Sequence, residues 1–471
     1  MTRPHVVVVG AYGSAGVAVA DRLVEEDVRL TLVDDGDPGG GLCILRGCMP
    51  SKEVLSAAAH RFQARHDHRL PDDPPGIDME RVVETKDGHV ADFASHRRGA
   101  VERMAERGNV EFLHETARFV DDRTVAVGDR RIEPDYVVVA TGSTVNVPDL
   151  PGIDDVEYET SADVLDATGY AGESGIVMGF GYVGTELVPY LSEAAGLSLT
   201  VVEHDARPID EADPAYGDAL LDIYEENFDV RILRETYEER LEPTDDGGVR
   251  LHTDREDGAA TVEADHLFLF TGRRPNLDGL GLANAGIDPG PGWVGDTMQA
   301  ADDDHTFVVG DANSREPILH VAKEEGHLAA GNVLRHHRGE GLVPYENVHH
   351  HVIFTGLGVY PYARVGHSKE SAEAAGIDHV AVTREARDDG VFRTKDAPEG
   401  LATLVVDPDD GTVLGYQGLH YHADVMAKTA QLAVEMELDV REVPDRAYHP
   451  TTPEILDGLF RQATDALEGD G

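Results

Sequence analysis

Lysine is scarce in this chain of 471 residues: Lys52, Lys86, Lys323, Lys369, Lys395 and Lys428 are the full set. Forty Lys plus Arg stand against ninety Asp plus Glu, a formal net charge of −50. A surface so short of positive charge excludes nucleic acid and anionic membranes as default partners, because both are bound by clusters of basic residues. The self-repulsion of such a chain is relieved by salt, whose screening length shrinks to about 3 Å at molar concentration. Acid excess with few lysines therefore points to a halophilic cytoplasm. Long apolar runs are missing as well. None approaches the roughly 18 residues a membrane span needs, and Met1-Thr2-Arg3-Pro4-His5 leads straight into Val6-Val7-Val8-Val9 without a signal-peptide pattern. The expectation is a soluble cytoplasmic chain with no membrane partner. What is abundant suits globular structure: 41% hydrophobic residues with 50 Gly and 24 Pro exclude a collagenous, coiled-coil or disordered chain. At roughly 150 residues per domain, the length divides into about three.

Cysteine is nearly absent, and the two that occur, Cys43 and Cys48, are neighbours in Gly39-Gly40-Gly41-Leu42-Cys43-Ile44-Leu45-Arg46-Gly47-Cys48-Met49-Pro50-Ser51-Lys52. A helix-compatible stretch, Glu53 to Ala59, follows. In a regular helix, five steps of about 1.5 Å separate the Cα atoms by more than a disulfide tolerates, so bridging requires a distorted first turn. Gly47 and Pro50 permit one. The positive end of a helix dipole favours thiolate, which makes redox activity the preferred reading over an inert pair. A structural disulfide is disfavoured in a reducing cytosol, and zinc would lack two further close ligands, so no metal site is expected.

Two segments read as strand, glycine turn and helix. In the first, Val6 to Val9 runs into Gly10-Ala11-Tyr12-Gly13-Ser14-Ala15-Gly16, and the next strand, Leu30 to Val33, ends at Asp34, where a dinucleotide ribose would want a carboxylate. The spacing of Gly10, Gly13 and Gly16 is three and three instead of two and three. Either the turn carries one extra residue, or Tyr12 occupies the second glycine position. The second segment is regular: Gly179-Phe180-Gly181-Tyr182-Val183-Gly184, followed by a strand, Leu199 to Val202, closing on Glu203. Glycines there let the backbone approach a pyrophosphate, and Glu203 can hold a 2′-hydroxyl but repels a 2′-phosphate, which favours NAD(H). His204 and Arg207 stand close enough in sequence to face a phosphate, which keeps NADP(H) open. Tight turns that bind no nucleotide are the bland alternative.

With these residues in view, the chain resembles the class I pyridine nucleotide-disulfide oxidoreductases, the group containing dihydrolipoamide dehydrogenase, glutathione reductase and mercuric reductase. The resemblance runs almost end to end. Gly40 to Lys52 is similar to the family's cysteine signature. Asp135 to Ser143, with Thr141 and Gly142, resembles its strand and ATG turn, and Phe270 to Asn276, with Gly272 and Arg273, its return to the first nucleotide domain. Thr306 to Asp311 resembles the segment whose Asp holds the FAD ribityl chain. Leu319 to Gly326 is similar to the flavin-contacting helix of the dehydrogenases, and Tyr448 to Glu454 to the His-Pro-Thr motif followed by Glu. Taken alone, Thr452-Pro453-Glu454 is an ordinary helix start, with Thr as N-cap and Pro at the first helical position.

The resemblance implies an α/β fold: two Rossmann-like dinucleotide-binding domains plus a C-terminal α+β dimerisation domain. Residues 1–150 and 276–340 would bind FAD, 151–275 NAD(P), and 341–471 would form the interface of a homodimer whose active site is shared. Gly10, Gly13, Gly16, Asp34, Lys52, Thr141, Gly142, Asp311, Arg273 and Gly272 would serve FAD, and Gly179, Gly181, Gly184 and Glu203 the pyridine nucleotide. Cys48 would be the thiol beside the flavin and Cys43 the interchange thiol of a Cys43–Cys48 redox disulfide. His449, oriented by Glu454 and contributed by the second subunit, would be the acid/base. Lys52 would pair with Glu186 near the flavin.

For substrate, mercuric reductase fits poorly because its extra cysteine pair is missing. Glu203 and the Leu319-His320 helix favour dihydrolipoamide dehydrogenase, but Phe354 to Gly366 is longer than the family's usual turn and lacks its Pro-Glu pair. His349 and His351 would share one face of a strand as an acceptor for carboxylates, and Arg46 adds positive charge in the cysteine loop. On so acidic a chain this points to reduction of a small anionic disulfide such as bis-γ-glutamylcystine, a substrate associated with halophilic archaea and NADPH. Dihydrolipoamide dehydrogenase is the alternative, and the histidines as satisfied surface or interface residues the bland one. An FAD-bearing redox sensor or electron donor is a third reading, with little use for His449 and Glu454.

Overall fold

The valine run at the start of the chain forms strand His5–Val9, paired in parallel with Arg29–Val33 on one side and Tyr136–Val139 on the other. Its side chains alternate between two cores. Val6 and Val8 pack with Phe307 and Ala329, while Val7 and Val9 pack with Phe119 and Trp293. Burial on both faces explains why the run is continuously apolar instead of alternating.

The computed structural model describes residues 3–71, 73–256, 258–446 and 448–469. The chain divides into two compact units. The first gathers residues up to Pro50, Glu84–Asn146 and Arg273–Asn347. Its six-stranded sheet runs Gln299–Ala300, Asp303–Val308, Tyr136–Val139, His5–Val9, Arg29–Val33, Val110–Leu113, parallel except for the first pair. Helices Ser14–Leu23 and Leu319–His337 cross on one face, where a Cβ on Gly326 would lie 2.6 Å from the Ala15 carbonyl oxygen. The other face carries the antiparallel sheet Ala117–Phe119, Val125–Val127, Arg130–Ile132.

The second unit gathers Ser51–Val83, Val147–Gly272 and the chain from Val348. Residues 51–83, assigned from sequence to the first nucleotide domain, belong here because Val54, Leu55, Ala58, Phe62 and Met79 are buried in the same core as Phe180, Leu187 and Tyr224. A five-stranded parallel sheet runs Val230–Leu233, Ser198–Val202, Ser174–Met178, His266–Leu269, Glu159–Thr160. A five-stranded antiparallel sheet, His350–Ile353, Tyr362–Gly366, Val413–His420, Gly400–Val406, Val380–Glu385, is covered by helices Ala423–Glu435 and Glu454–Gly469 through Met426, Ala430, Ile455 and Leu459. The α/β class with a C-terminal α+β part, expected from the sequence, is the one observed. Among the described residues, no helix is long and apolar enough to cross a membrane.

Candidate active site

The two cysteines do not share a helix. Cys43 lies on a single turn, Leu42–Leu45, and Cys48 opens the next helix, Cys48–His66. Arg46, at φ −145° and ψ 18°, breaks the helical path between them. A Cβ on Gly47 would lie 3.0 Å from the Leu42 carbonyl oxygen and 3.1 Å from the Cys43 Cα, so the chain doubles back where a side chain has least room. Pro50 falls in the first turn of the second helix, where no backbone donor is missed. The distortion anticipated for a pair five residues apart is thus a break between two helices.

Cys43 is half-buried and Cys48 exposed, and their side chains are hydrogen-bonded to each other. Its hydrogen bond to Cys48 pushes the Cys43 thiol well above the ordinary range, and burial adds to this; the Cys48 backbone N–H and the charge of Arg97 pull the other way.

A cavity of about 150 Å³ opens beside both thiols, walled also by Gly13, Gly310 and Asp311. A second, of about 370 Å³, is lined by Gly10, Asp34, Thr141 and Asn276, and shares Gly13, Leu42, Ala140 and Gly142 with the first. Together they make a trough from Asp34 to the thiols, the shape an extended dinucleotide with one end at the cysteines requires. The wall offers matching groups. Thr141 Oγ1 is buried with no hydrogen-bond partner among the described residues. A Cβ on Gly142 would point into open space, and its φ of +70° favours glycine. Asp34 accepts the Tyr12 N–H at 2.8 Å and the Gly36 N–H at 2.9 Å and, held by burial above its ordinary pKa, retains lone pairs for a ribose hydroxyl. Asp311 accepts the Ser143 hydroxyl at 2.5 Å. Arg273 is turned to Ser143, giving its Oγ and carbonyl oxygen bonds of 2.8 and 2.7 Å, so it braces the residue that holds Asp311. Gly272, at φ +83°, makes the turn before it.

The one-residue irregularity of the first glycine turn is an insertion. Gly13 and Gly181 each stand at the N-cap of the following helix. A Cβ on Gly16 would lie 2.1 Å from the Gly10 carbonyl oxygen, and one on Gly184 2.5 Å from that of Gly179. Glu203 accepts the Phe180 N–H at 2.6 Å, as Asp34 accepts that of Tyr12, so Tyr12 corresponds to Phe180 and the additional residue is Ala11. The other Glu203 oxygen accepts the Asp205 N–H at 3.1 Å. His204 and Arg207 are engaged elsewhere, His204 with Glu238 at 2.5 Å and Arg207 with Asp218 at 2.7 Å.

In the second unit, Lys52 Nζ meets both Glu186 oxygens at 2.7 and 2.6 Å and stands 4.6 Å from the centre of the Phe354 ring. Glu186 also accepts the Phe354 N–H at 3.0 Å, which fixes the carboxylate. His449 Nδ1 lies 2.9 Å from a Glu454 oxygen, and because a carboxylate only accepts, this bond puts the proton on Nδ1 and leaves Nε2 outward. Glu454 accepts the Thr451 N–H as well, at 3.1 Å, and the helix begins at Glu454 itself, one residue beyond the Pro453 start read from sequence. The His449 side chain is 79% exposed. The histidines at 349 and 351 share a face as expected, but their carboxylate is the chain's own Glu211, at 3.5 and 2.8 Å. Both rings are therefore already engaged by a carboxylate of the chain itself.

The pyridine nucleotide-disulphide oxidoreductase profile matches residues 4–326, and the profile of that family's dimerisation domain matches residues 351–459. The chain belongs to this family. Members are flavin-dependent oxidoreductases, and FAD with NAD(H) or NADP(H) are the cofactors. Similar curated proteins include a dihydrolipoyl dehydrogenase of Haloferax volcanii, 29% identical over 99% of this chain and 97% of its own length. A mercuric reductase of Shigella flexneri is 28% identical over 97% of this chain and 79% of its own. Among solved structures, the flavoprotein disulfide reductase RclA of Escherichia coli, as a Cu(II) complex, superposes with a TM-score of 0.82 at 22% identity over 98% of this chain and all of that one, which speaks for the shared fold.

Three members of this oxidoreductase's site were not found from sequence. Asn276 holds the cofactor turn by donating its N–H to the Gly142 carbonyl at 2.9 Å, and Ser143 links Arg273 to Asp311. Arg97, half-buried on helix Met79–Ala105, donates to the Tyr12 carbonyl at 3.2 Å and acts electrostatically on Cys43. An arginine in a polar helix carries no local signal of such a role.

Proposed function

We propose that the protein is an NAD(P)H-dependent disulfide reductase in which Cys43 is the interchange thiol and Cys48 its resolving partner. The observation that carries this is the pair of neighbouring cysteines at the end of the trough that runs from Asp34. FAD, when bound, relays two electrons between the nicotinamide and the Cys43–Cys48 pair. His449 Nε2 takes the Cys43 proton; the Cys43 thiolate attacks one sulfur of the substrate disulfide, the substrate S–S bond breaks, a mixed disulfide forms on Cys43, and the leaving thiolate takes that proton back from His449 Nε2. Cys48 then attacks the Cys43 sulfur, releasing the second thiol and restoring the internal disulfide. Arg97 favours the thiolate of Cys43, and Glu454 keeps the reactive nitrogen of His449 outward. Lys52, neutralised by Glu186, would stabilise negative charge on reduced cofactor.

The reading uses a cytoplasmic homodimer in which each chain lends His449 to the thiols of the other. The exposure of His449 and the dimerisation-domain match support it. Residues 1–150 with 276–340, apart from the 51–83 segment that packs in the second unit, serve FAD, and 151–275 the nicotinamide nucleotide. NADH is preferred because Glu203 disfavours a 2′-phosphate while His204 and Arg207 are already paired with carboxylates.

For substrate we favour a small anionic disulfide such as bis-γ-glutamylcystine. With the histidines engaged by Glu211, support comes from exposed Arg46 in the cysteine loop and from Arg97. A second reading, dihydrolipoamide dehydrogenase, is favoured by the names of the haloarchaeal relatives. Turnover in concentrated salt, with NADH and NADPH crossed against lipoamide, glutathione disulfide and bis-γ-glutamylcystine, separates them. The first reading expects the anionic disulfide to have the highest kcat/KM; a preference for lipoamide establishes the second, and no preference sinks the first. His449→Ala should cost about 10²–10⁴ in kcat, and an unimpaired variant removes the acid/base assignment.

A further inference from the structure

One cluster of ligating side chains takes no part in the disulfide chemistry. It consists of Glu211, His349 and His351, whose donor atoms all lie within 4.8 Å of one another. We propose that these three residues form a binding site for a divalent transition-metal ion of the zinc class. His349 and His351 reach it from alternate positions at the start of strand His350–Ile353, which puts both rings on one face. Glu211 comes from the loop before helix Pro214–Asn227. His351 Nδ1 stands 2.8 Å and His349 Nε2 3.5 Å from separate Glu211 oxygens. Donors about 2.0–2.1 Å from a tetrahedral ion lie about 3.3 Å from each other, so shifts of a few tenths of an ångström would make room for it.

The chemistry of the set agrees. Two imidazoles with one carboxylate suit zinc, copper or nickel and are poor ligands for calcium or magnesium. The site is sheltered, with side-chain exposures of 9% for His351, 16% for Glu211 and 25% for His349. Outer groups hold the geometry, as they do around bound metals. The Tyr182 hydroxyl donates to Glu211 Oε2 at 3.1 Å, Arg364 donates to the Glu211 carbonyl at 2.6 Å, and the His349 carbonyl accepts the Gly366 N–H at 2.7 Å. Three protein donors leave a fourth position for water, and a bound ion would fasten the 211 loop to the sheet. A second such group among the described residues, Asp67, His68 and Asp396, has a single imidazole, 79% exposed, and is the weaker candidate.

The test uses full-length, FAD-loaded protein carrying Cys43→Ser and Cys48→Ser, so that the thiols bind no metal, with zinc chloride titrated calorimetrically in concentrated KCl. Glu211→Gln, His349→Gln and His351→Ala should each lose one zinc per chain while His68→Ala keeps it, and zinc should raise the melting temperature of the parent but not of Glu211→Gln. Flavin content and circular dichroism identify any variant that misfolds, and the remaining two then decide. Equal stoichiometry in the parent and in the folded variants means that zinc binds only to scattered surface carboxylates and overturns the site.

Discussion

In the first glycine turn Gly10 sits at φ +96°, and a Cβ there would lie 2.2 Å from the Ala140 carbonyl oxygen; in the second, Gly179 sits at φ +92°, 2.6 Å from that of Phe270. Their closing glycines, Gly16 and Gly184, each press onto the carbonyl of the opening one. Between these fixed ends the turns differ. The first has one residue more and packs Tyr12 against Gly39, whose Cβ would lie 2.2 Å from the Tyr12 ring, whereas around Gly181 a Cβ would meet nothing within 4 Å. Thus the ends of such a turn are set by backbone contact with the sheet and helix, while its middle can lengthen if a neighbouring segment gives way. The glycine run at 39–41 does so here, linking the first nucleotide turn to the loop that carries the thiols.

Replacing the closing glycines should break the parallel most severely. Gly16→Ala, opposed by backbone at 2.1 Å, should cost more than about 3 kcal/mol and abolish flavin retention, read from denaturant midpoints and bound-flavin absorbance. Gly184→Ala, at 2.5 Å, should cost about 1–3 kcal/mol, and Gly181→Ala should leave stability unchanged. Equal losses at all three would erase the distinction between ends and middle.

Next in size is the device peculiar to the first turn. Gly39→Ala should destabilise by about 1–3 kcal/mol through overpacking on Tyr12, and the loss should largely disappear when Tyr12→Gly is added. A double-mutant cycle with no coupling would disprove the contact.

The strand-end acids should then separate by ligand. Glu203→Gln should weaken NADH about 10-fold, the loss of one charge-assisted hydrogen bond of ~1.5 kcal/mol, while narrowing the gap to NADPH, as stopped-flow reduction would show.

The smallest effect is a slope. Burial raises the Asp34 pKa above 3.8, so the folded state binds a proton more tightly than the unfolded state does. Its favourable contribution is complete below the ordinary aspartate pKa and is lost as pH rises through the folded value. Asp34→Asn should remove that fall from the stability profile of FAD-free protein and still bind FAD more weakly, so the two readouts move in opposite directions.

Much of the site was legible because its constraints are local. Gly179, Gly181 and Gly184 answer to one turn and one helix start, the cysteines to a spacing of five positions, and His449 with Glu454 to the beginning of one helix. Other parts depend on residues far apart in the chain. Lys52 and Glu186 are 134 positions apart and were paired only through family resemblance. Asn276, Ser143 and Arg97 belong to the site by virtue of what packs beside them, and His349 with His351 changed meaning once Glu211, 140 positions from His351, stood opposite them.

By itself, then, the sequence determined the two strand–glycine–helix turns, the close cysteine pair, the neighbouring His449 and Glu454 and the acid excess, since each is written in spacing or composition along a short stretch of backbone. Only the tertiary structure decided which residue was inserted in the first turn, that the two thiols are hydrogen-bonded to each other, and which carboxylates engage His204, Arg207 and the paired histidines. Those outcomes depend on distances of 2–4 Å between groups brought together by sheet pairing and burial, and such distances have no local signature in the chain.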